Sequence, residues 1–205
     1  GDAEDRFRPR LGIDRIHRRA AASPSGTSRC CRIPEAINKP PGPRTTTLST
    51  ASRFELTHTR GGRPVPGLRV SDAAGPNPPG IWIQARQHAW ESGSSWVARG
   101  LVEWLVGEDP DARWLRRHAE IFVVPIMDVD NAATGDGGKE ANPRDHNRDW
   151  DDKPVYPEVA AAQGRLRGLA KDNRLDLFLD LHNPAPGDAR PFFFVGPPEL
   201  LPEQA

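Results

Sequence analysis

The 205-residue chain holds only two cysteines, and they are neighbours, Cys30 and Cys31. Two adjacent thiols can support neither a disulfide framework nor a cysteine-based zinc site, and they leave the compartment open. No run of about 18 apolar residues occurs, so no membrane-spanning helix is expected, and no basic-then-apolar leader follows the first residue, Gly1. Net charge is also missing, since 28 Lys and Arg balance 28 Asp and Glu. Aromatic side chains are nearly absent from residues 1–50, where Phe7 stands alone, whereas all six tryptophans lie between Trp82 and Trp150.

The neutral total conceals two unlike parts. Residues 1–79 carry 14 basic against 7 acidic side chains, and residues 80–205 carry 14 against 21. The first 51 residues read as Arg, Ser, Thr and Pro without a period, a composition that cannot bury enough apolar surface to offset its ordering entropy. A basic, disordered or aberrant leader is therefore expected over residues 1–51, and a folded domain over 52–205. The leader lacks the stacking aromatics of single-strand binders and matches no groove-reading motif, so no nucleic-acid partner is expected.

Within the second part, 22 prolines and 19 glycines in the whole chain punctuate recognisable periods. FELTHTRGGRPVPGLRVSD alternates around Gly61 and Gly62, which predicts a hairpin whose second strand covers about 67–71. IWIQAR (81–86) predicts a buried strand. SGSSWVARGLVEWL follows with Ser92 or Ser94 as cap and Trp96, Val97, Leu101, Trp104 and Leu105 at helical spacing. Asp109 opens a short helix to His118, IFVVPIM (121–127) is a second apolar strand, and PEVAAAQGRLRGLAKD (157–172) is a helix. LDLFLDLH (175–182) predicts a third strand and PFFFVG (191–196) a fourth. Strands alternating with helices predict an α/β layered sheet. Trp96, Trp104 and Trp114 are expected in the core.

Residues 128–154 show neither helical nor strand period, and loops of that length within compact domains are commonly functional. No internal repeat occurs. GDGGKE (135–140) lacks the spacing and context of a phosphate-binding loop. Counting a calcium loop from Asp128 puts Ala133 at the glycine position and Lys139 at the bidentate glutamate position, so that pattern fails.

Three separated pieces fit a single-metal site. His88 and Glu91 form an H-x-x-E pair directly after a predicted strand, and His182 closes another, both beyond carboxyl ends of strands, where α/β sheets collect ligands. Alone, each is equally a surface histidine near a capping residue or turn. Together, two imidazoles and one carboxylate leave a fourth tetrahedral position free, the pattern of catalytic zinc. The run DHNRDW (145–150) supplies Arg148, whose planar fork suits a carboxylate, beside the amide of Asn147. Asp145 can accept the second ring N–H of a ligand histidine and fix its tautomer. Trp90, between the two first ligands, is placed to line a subsite.

ARQHAWESGSSW, DHNRDW and LDLHNP, in that order, resemble the zinc metallocarboxypeptidases of the carboxypeptidase A-like family, in the branch of cytosolic carboxypeptidases and their bacterial relatives. The resemblance spans about residues 54–196. It implies an α/β fold with a mixed central β-sheet flanked by helices, one Zn2+ held by His88, Glu91 and His182, and Asn147 with Arg148 clasping the terminal carboxylate of a peptide or protein substrate. Asp145 matches the aspartate that backs a ligand histidine.

The sequence departs from that family twice. The arginine expected some nine residues before Asn147 is missing; Lys139 is the nearest cation and Arg144 a displaced candidate for holding a developing oxyanion, a donor whose loss costs on the order of 10²-fold or more in rate. No glutamate in the chain has the context of the family's general base, Glu199 and Glu203 included, so none is assigned. The expectation is a catalytic domain incomplete at its C-terminal end. Two rivals remain: an acyl-amino-acid deacylase resembling aspartoacylase and succinylglutamate desuccinylase, and a non-catalytic metal-binding remnant. Oligomeric state, side-chain preference and compartment are not legible.

Overall fold

The computed structural model describes residues 50–139 and 142–183, with residues 187, 190, 192 and 193. The expected leader over 1–51 lies outside the described residues except for its last two positions. So do Glu199, Glu203 and the strand expected at 191–196, apart from Phe192 and Phe193, which are exposed.

Strands β1 (Ala51–His58) and β2 (Pro64–Val70) form the predicted antiparallel hairpin. Its turn closes through the N–H of Thr59 on the carbonyl of Arg63 at 2.8 Å, with Gly62 at φ 74°, a conformation glycine adopts without penalty. Gly67 answers a different need. A Cβ there would stand 2.3 Å from the Phe54 ring, which lies across β2.

Next come β3 (Gly80–Ala85), α1 (Ser92–Leu105), α2 (Pro110–His118) and β4 (Glu120–Val124). Asp109 caps α2 as its sequence predicts, accepting from the N–H groups of Asp111 and Ala112. Pro125 ends β4 earlier than the apolar run suggested, since it has no N–H for a ladder. The stretch without a period in its sequence contains a six-residue helix, α3 (Val129–Thr134), capped by Asp128, and a 3-10 turn, His146–Arg148, capped by Asp145. Both are shorter than two turns, too short to show a period. Helix α4 (Pro157–Lys171) and strand β5 (Leu175–Leu181) complete the described elements.

The sheet order is β1-β2-β4-β3-β5, with β3 parallel to both β4 and β5 and β2 antiparallel to β4. It is the expected mixed sheet, with helices on both faces. One face buries Val70, Ile83, Ile121 and Val123 against Ala98 and Leu105 of α1; the other buries Val65, Trp82, Val124 and Met127 against Ala162 of α4. Each such aliphatic side chain contributes about 1.5–3 kcal/mol by leaving water. Phe54, Trp82 and Phe122 interlock on the second face, with ring centroids 5.9–6.5 Å apart.

The tryptophans expected in the core are not there. Trp96 is 65% exposed and Trp114 53%, and Trp104 is also largely at the surface. Helix α1 buries Ser94, Ala98 and Leu105, and the small Ser94 and Ala98 leave no room for an indole there, so Trp96 and Trp104 turn to the opposite side. There the Arg99 guanidinium sits 5.3 Å from the Trp96 ring, and Trp114 stacks on His118 at 4.4 Å. No helix among the described residues is long and apolar enough to cross a membrane.

Candidate metal centre

Because β3 and β5 are hydrogen-bonded neighbours running in the same direction, their carboxyl ends deliver His88 and His182 to one place. Ala85 pairs with Leu181, and the N–H of Arg86 reaches the carbonyl of Leu181 at 3.3 Å. Arg86 then adopts φ 60°, a left-handed bend that breaks the strand, and its Nε donates to the carbonyl of Ala89 at 2.6 Å. The chain turns through Gln87, His88 and Trp90, and Glu91 becomes the residue preceding α1. The serine cap expected for α1 is replaced: Asn183 accepts the Ser94 N–H at 2.8 Å, tying the end of β5 to the first turn of the helix.

Three side chains converge. One ligand atom each of His88, Glu91 and His182 lies within 4.8 Å of the others. His88 Nδ1 is 2.8 Å from Glu91 Oε1, His182 Nδ1 is 2.7 Å from Glu91 Oε2, and the Asn183 N–H donates to Oε2 at 3.2 Å. The outward ring nitrogens are backed by carboxylates: His88 Nε2 by Asp145 at 3.1 Å, and His182 Nε2 by Asp180 at 3.4 Å. Both imidazoles thus aim Nδ1 inward and hold Nε2 by an acceptor, the arrangement that fixes tautomer and ring orientation in metal ligands. Two nitrogens and a carboxylate suit zinc with one position left open. The residues fit the ion.

The electrostatics follow from this packing. Burial raises the Glu91 carboxyl, but hydrogen bonds from His182 and then His88 outweigh it and draw the group down to about 2. Asp180 first and Glu91 second push His182 up to about 10, against desolvation. Zinc held here would displace the proton from His182 Nδ1.

The other expected residues divide. Asp145 accepts both His88 Nε2 and the Asn147 N–H, the latter at 2.8 Å, so one carboxylate links the ligand to the 3-10 turn. Asn147 borders an open cleft of about 350 Å³ with Trp150, Leu166, Phe178 and Asp180. Arg148 is exposed, and no ion pair among the described residues uses its guanidinium. Lys139 stands over the Trp90 ring at 6.0 Å, and the Trp90 N–H donates to the carbonyl of Gly137 at 3.2 Å, which pins the 135–139 loop to the ligand turn. Gly138 permits that approach: its φ is 81°, and a Cβ would meet Asp128 Oδ2 at 2.2 Å and the Ala89 nitrogen at 2.9 Å. Arg144 is engaged elsewhere, with Asp151 at 2.6 Å and Asp149 at 3.4 Å, and the Asp151 hydrogen bond raises its pKa. Sequence reasoning missed Asp180, although strand alternation puts residues 180 and 182 on one side. It also missed the buried partners Gln87, His146 and Glu158 behind the ligands.

The sequence profile of the family described as zinc carboxypeptidase matches residues 45–163. Among curated proteins, chicken (Gallus gallus) cytosolic carboxypeptidase 1 is 32% identical over 109 residues, 52% of this chain and 9% of that protein. Human cytosolic carboxypeptidase 4 is 31% identical over 140 residues, 62% of this chain and 13% of that protein. A metallo-carboxypeptidase from Burkholderia cenocepacia has a similar fold, with TM-score 0.59 and 32% identity, covering 67% of this chain and 38% of that one. A metallo-carboxypeptidase from Pseudomonas aeruginosa gives TM-score 0.58 and 28% identity over 67% of this chain and 36% of that one. The chain therefore spans about a tenth of the curated relatives' length and little more than a third of the solved ones. With the profile match over more than half its length, the chain belongs to the zinc carboxypeptidase family.

Proposed function

We propose that this chain carries the zinc-binding and carboxylate-recognising part of a metallocarboxypeptidase that removes C-terminal residues from peptides or proteins. The observation that carries this reading is the convergence of His88 Nδ1, His182 Nδ1 and the Glu91 carboxylate, with Asp145 and Asp180 behind the two rings. Family membership supports it, as do relatives named carboxypeptidases.

His88, Glu91 and His182 would hold the ion. When bound, zinc supplies Lewis acidity toward the scissile carbonyl and toward water. Asp145 and Asp180 face each ring's Nε2 and so orient Nδ1 toward the site. Arg148, exposed and free of a carboxylate among the described ion pairs, takes the terminal carboxylate of the substrate, and Asn147 adds an amide from the same turn. Lys139, held beside the ligand turn over Trp90, is the cation nearest the role of polarising the carbonyl; Arg144 is committed to Asp149 and Asp151. Among the described residues Glu91 is the one glutamate in the metal group, and as a ligand it cannot also serve as proton acceptor.

The test is zinc content and peptide hydrolysis by the 205-residue chain. One zinc per chain is expected, lost in His88→Ala and His182→Ala together with any release of C-terminal residues from peptides. A folded wild-type chain that takes up no zinc overturns the proposal.

A further inference from the structure

His146 separates Asp145 from Asn147, the two residues of this turn closest to the site, yet its own ring points the other way and is fully buried. Its Nδ1 lies 2.5 Å from Gln87 Oε1, and its Nε2 lies 3.0 Å from Glu158 Oε1 in the first turn of α4. Gln87 and Glu158 are as deeply buried as the histidine, at 0% and 1% exposure. The remaining polar atoms, Gln87 Nε2 and Glu158 Oε2, have no partner among the described residues. The imidazole is thus the side-chain partner that Gln87 and Glu158 share. Tyr156 packs against its face, with centroids 4.7 Å apart.

Two consecutive side-chain ties therefore join the same two segments. Gln87 meets His146, and the next residue along, His88, meets Asp145, the one before. The outer tie holds a metal ligand; the inner tie is buried behind it. A three-residue 3-10 turn has little stability of its own. A leucine at 146 would avoid the desolvation of three polar side chains, but it would hold the turn by volume alone, without a direction.

We infer that His146 is a positioning residue, tying the 145–148 turn to Gln87 and α4 so that Asp145 meets His88 with the geometry zinc requires. The inference rests on the zinc reading above. Removing the tie lets Asp145 drift and the His88 ring rotate, and loss of such an outer partner costs about 10- to 100-fold in metal affinity. The imidazole acts without touching the metal.

The experiment measures zinc affinity of the full chain by chelator competition, the visible spectrum of its Co2+ form, and thermal melting in parallel. His146→Leu is expected to melt cooperatively, bind zinc about 10- to 100-fold more weakly and alter the Co2+ spectrum. Asp145→Asn should lose a similar factor, and the double variant no more than the larger single loss, because both act through one tie. If His146→Leu does not fold, Gln87→Met, close in shape, cuts the same tie from the other end and should show the same loss. A folded His146→Leu or Gln87→Met with wild-type zinc affinity and an unchanged Co2+ spectrum overturns the inference while leaving the metal site standing. A wild-type chain that binds no zinc overturns both.

Discussion

Replacing Glu120 by Gln removes a charge that three parts of the sheet share. Glu120 opens β4 at 8% exposure and pairs with Arg69 on β2 and with Arg174 just before β5. Arg174 also donates from Nε to the carbonyl of Pro78 at 2.8 Å. Breaking a fully buried pair costs about 3–5 kcal/mol. Arg69 is 44% exposed, which lowers the figure here to about 2–3 kcal/mol. For a chain of this size that is a fall of about 4–12 °C in Tm. The pH dependence has a definite sign. Burial raises the Glu120 carboxyl, but hydrogen bonds from Arg69 and Arg174 outweigh it and hold the group below its ordinary 4.5. A carboxyl depressed on folding stabilises the protein above the unfolded value and loses that contribution as pH falls through the folded one. Thermal melts of wild type and Glu120→Gln from pH 7 down to pH 3 should therefore converge, the wild type losing its advantage below about 4.5. Curves that stay parallel across that range, or a variant as stable as wild type at pH 7, refute the reasoning.

Asp180→Asn, which weakens the acceptor behind His182 Nε2, should reduce zinc affinity about 10- to 100-fold in a chelator titration while leaving the fold intact. Gly67→Ala places a methyl against the Phe54 ring and should destabilise the hairpin by about 1–3 kcal/mol, read as a lower urea midpoint with an unchanged slope. Trp96→Gln should alter stability by no more than about 0.5 kcal/mol, because the indole lies on the outer side of α1; a larger loss would mean that the helix is packed through that face.

Much of the site was legible because its residue types are rare together and each follows a strand. H-x-x-E after IWIQAR and His182 after LDLFLDL could be joined only by supposing β3 and β5 adjacent, which the α/β pattern implied without stating. Apolar runs marked β3 and β4, since strands covered on both faces need no alternation. The tryptophans misled for a related reason. Helical spacing places Trp96 and Trp104 near one another on α1 but does not say which side meets the sheet, and there the small residues Ser94 and Ala98 decide. Asp180 and the Gln87–His146–Glu158 group stayed hidden because their partners are distant in sequence and make no motif.

Glu91 and His182 lie 91 positions apart, with four α-helices, two strands and the 3-10 turn between them in sequence. An ion bridging them would be a reversible cross-link between the start of α1 and β5, an edge strand of the described sheet. Closing a loop of that length removes about 4–5 kcal/mol of chain entropy from the unfolded ensemble, on the account used for disulfides. Metal would then be structural as well as chemical: the ligand set cannot assemble until β5 has docked beside β3, so uptake of the ion reports completed sheet assembly, and a chelator would act first by freeing β5.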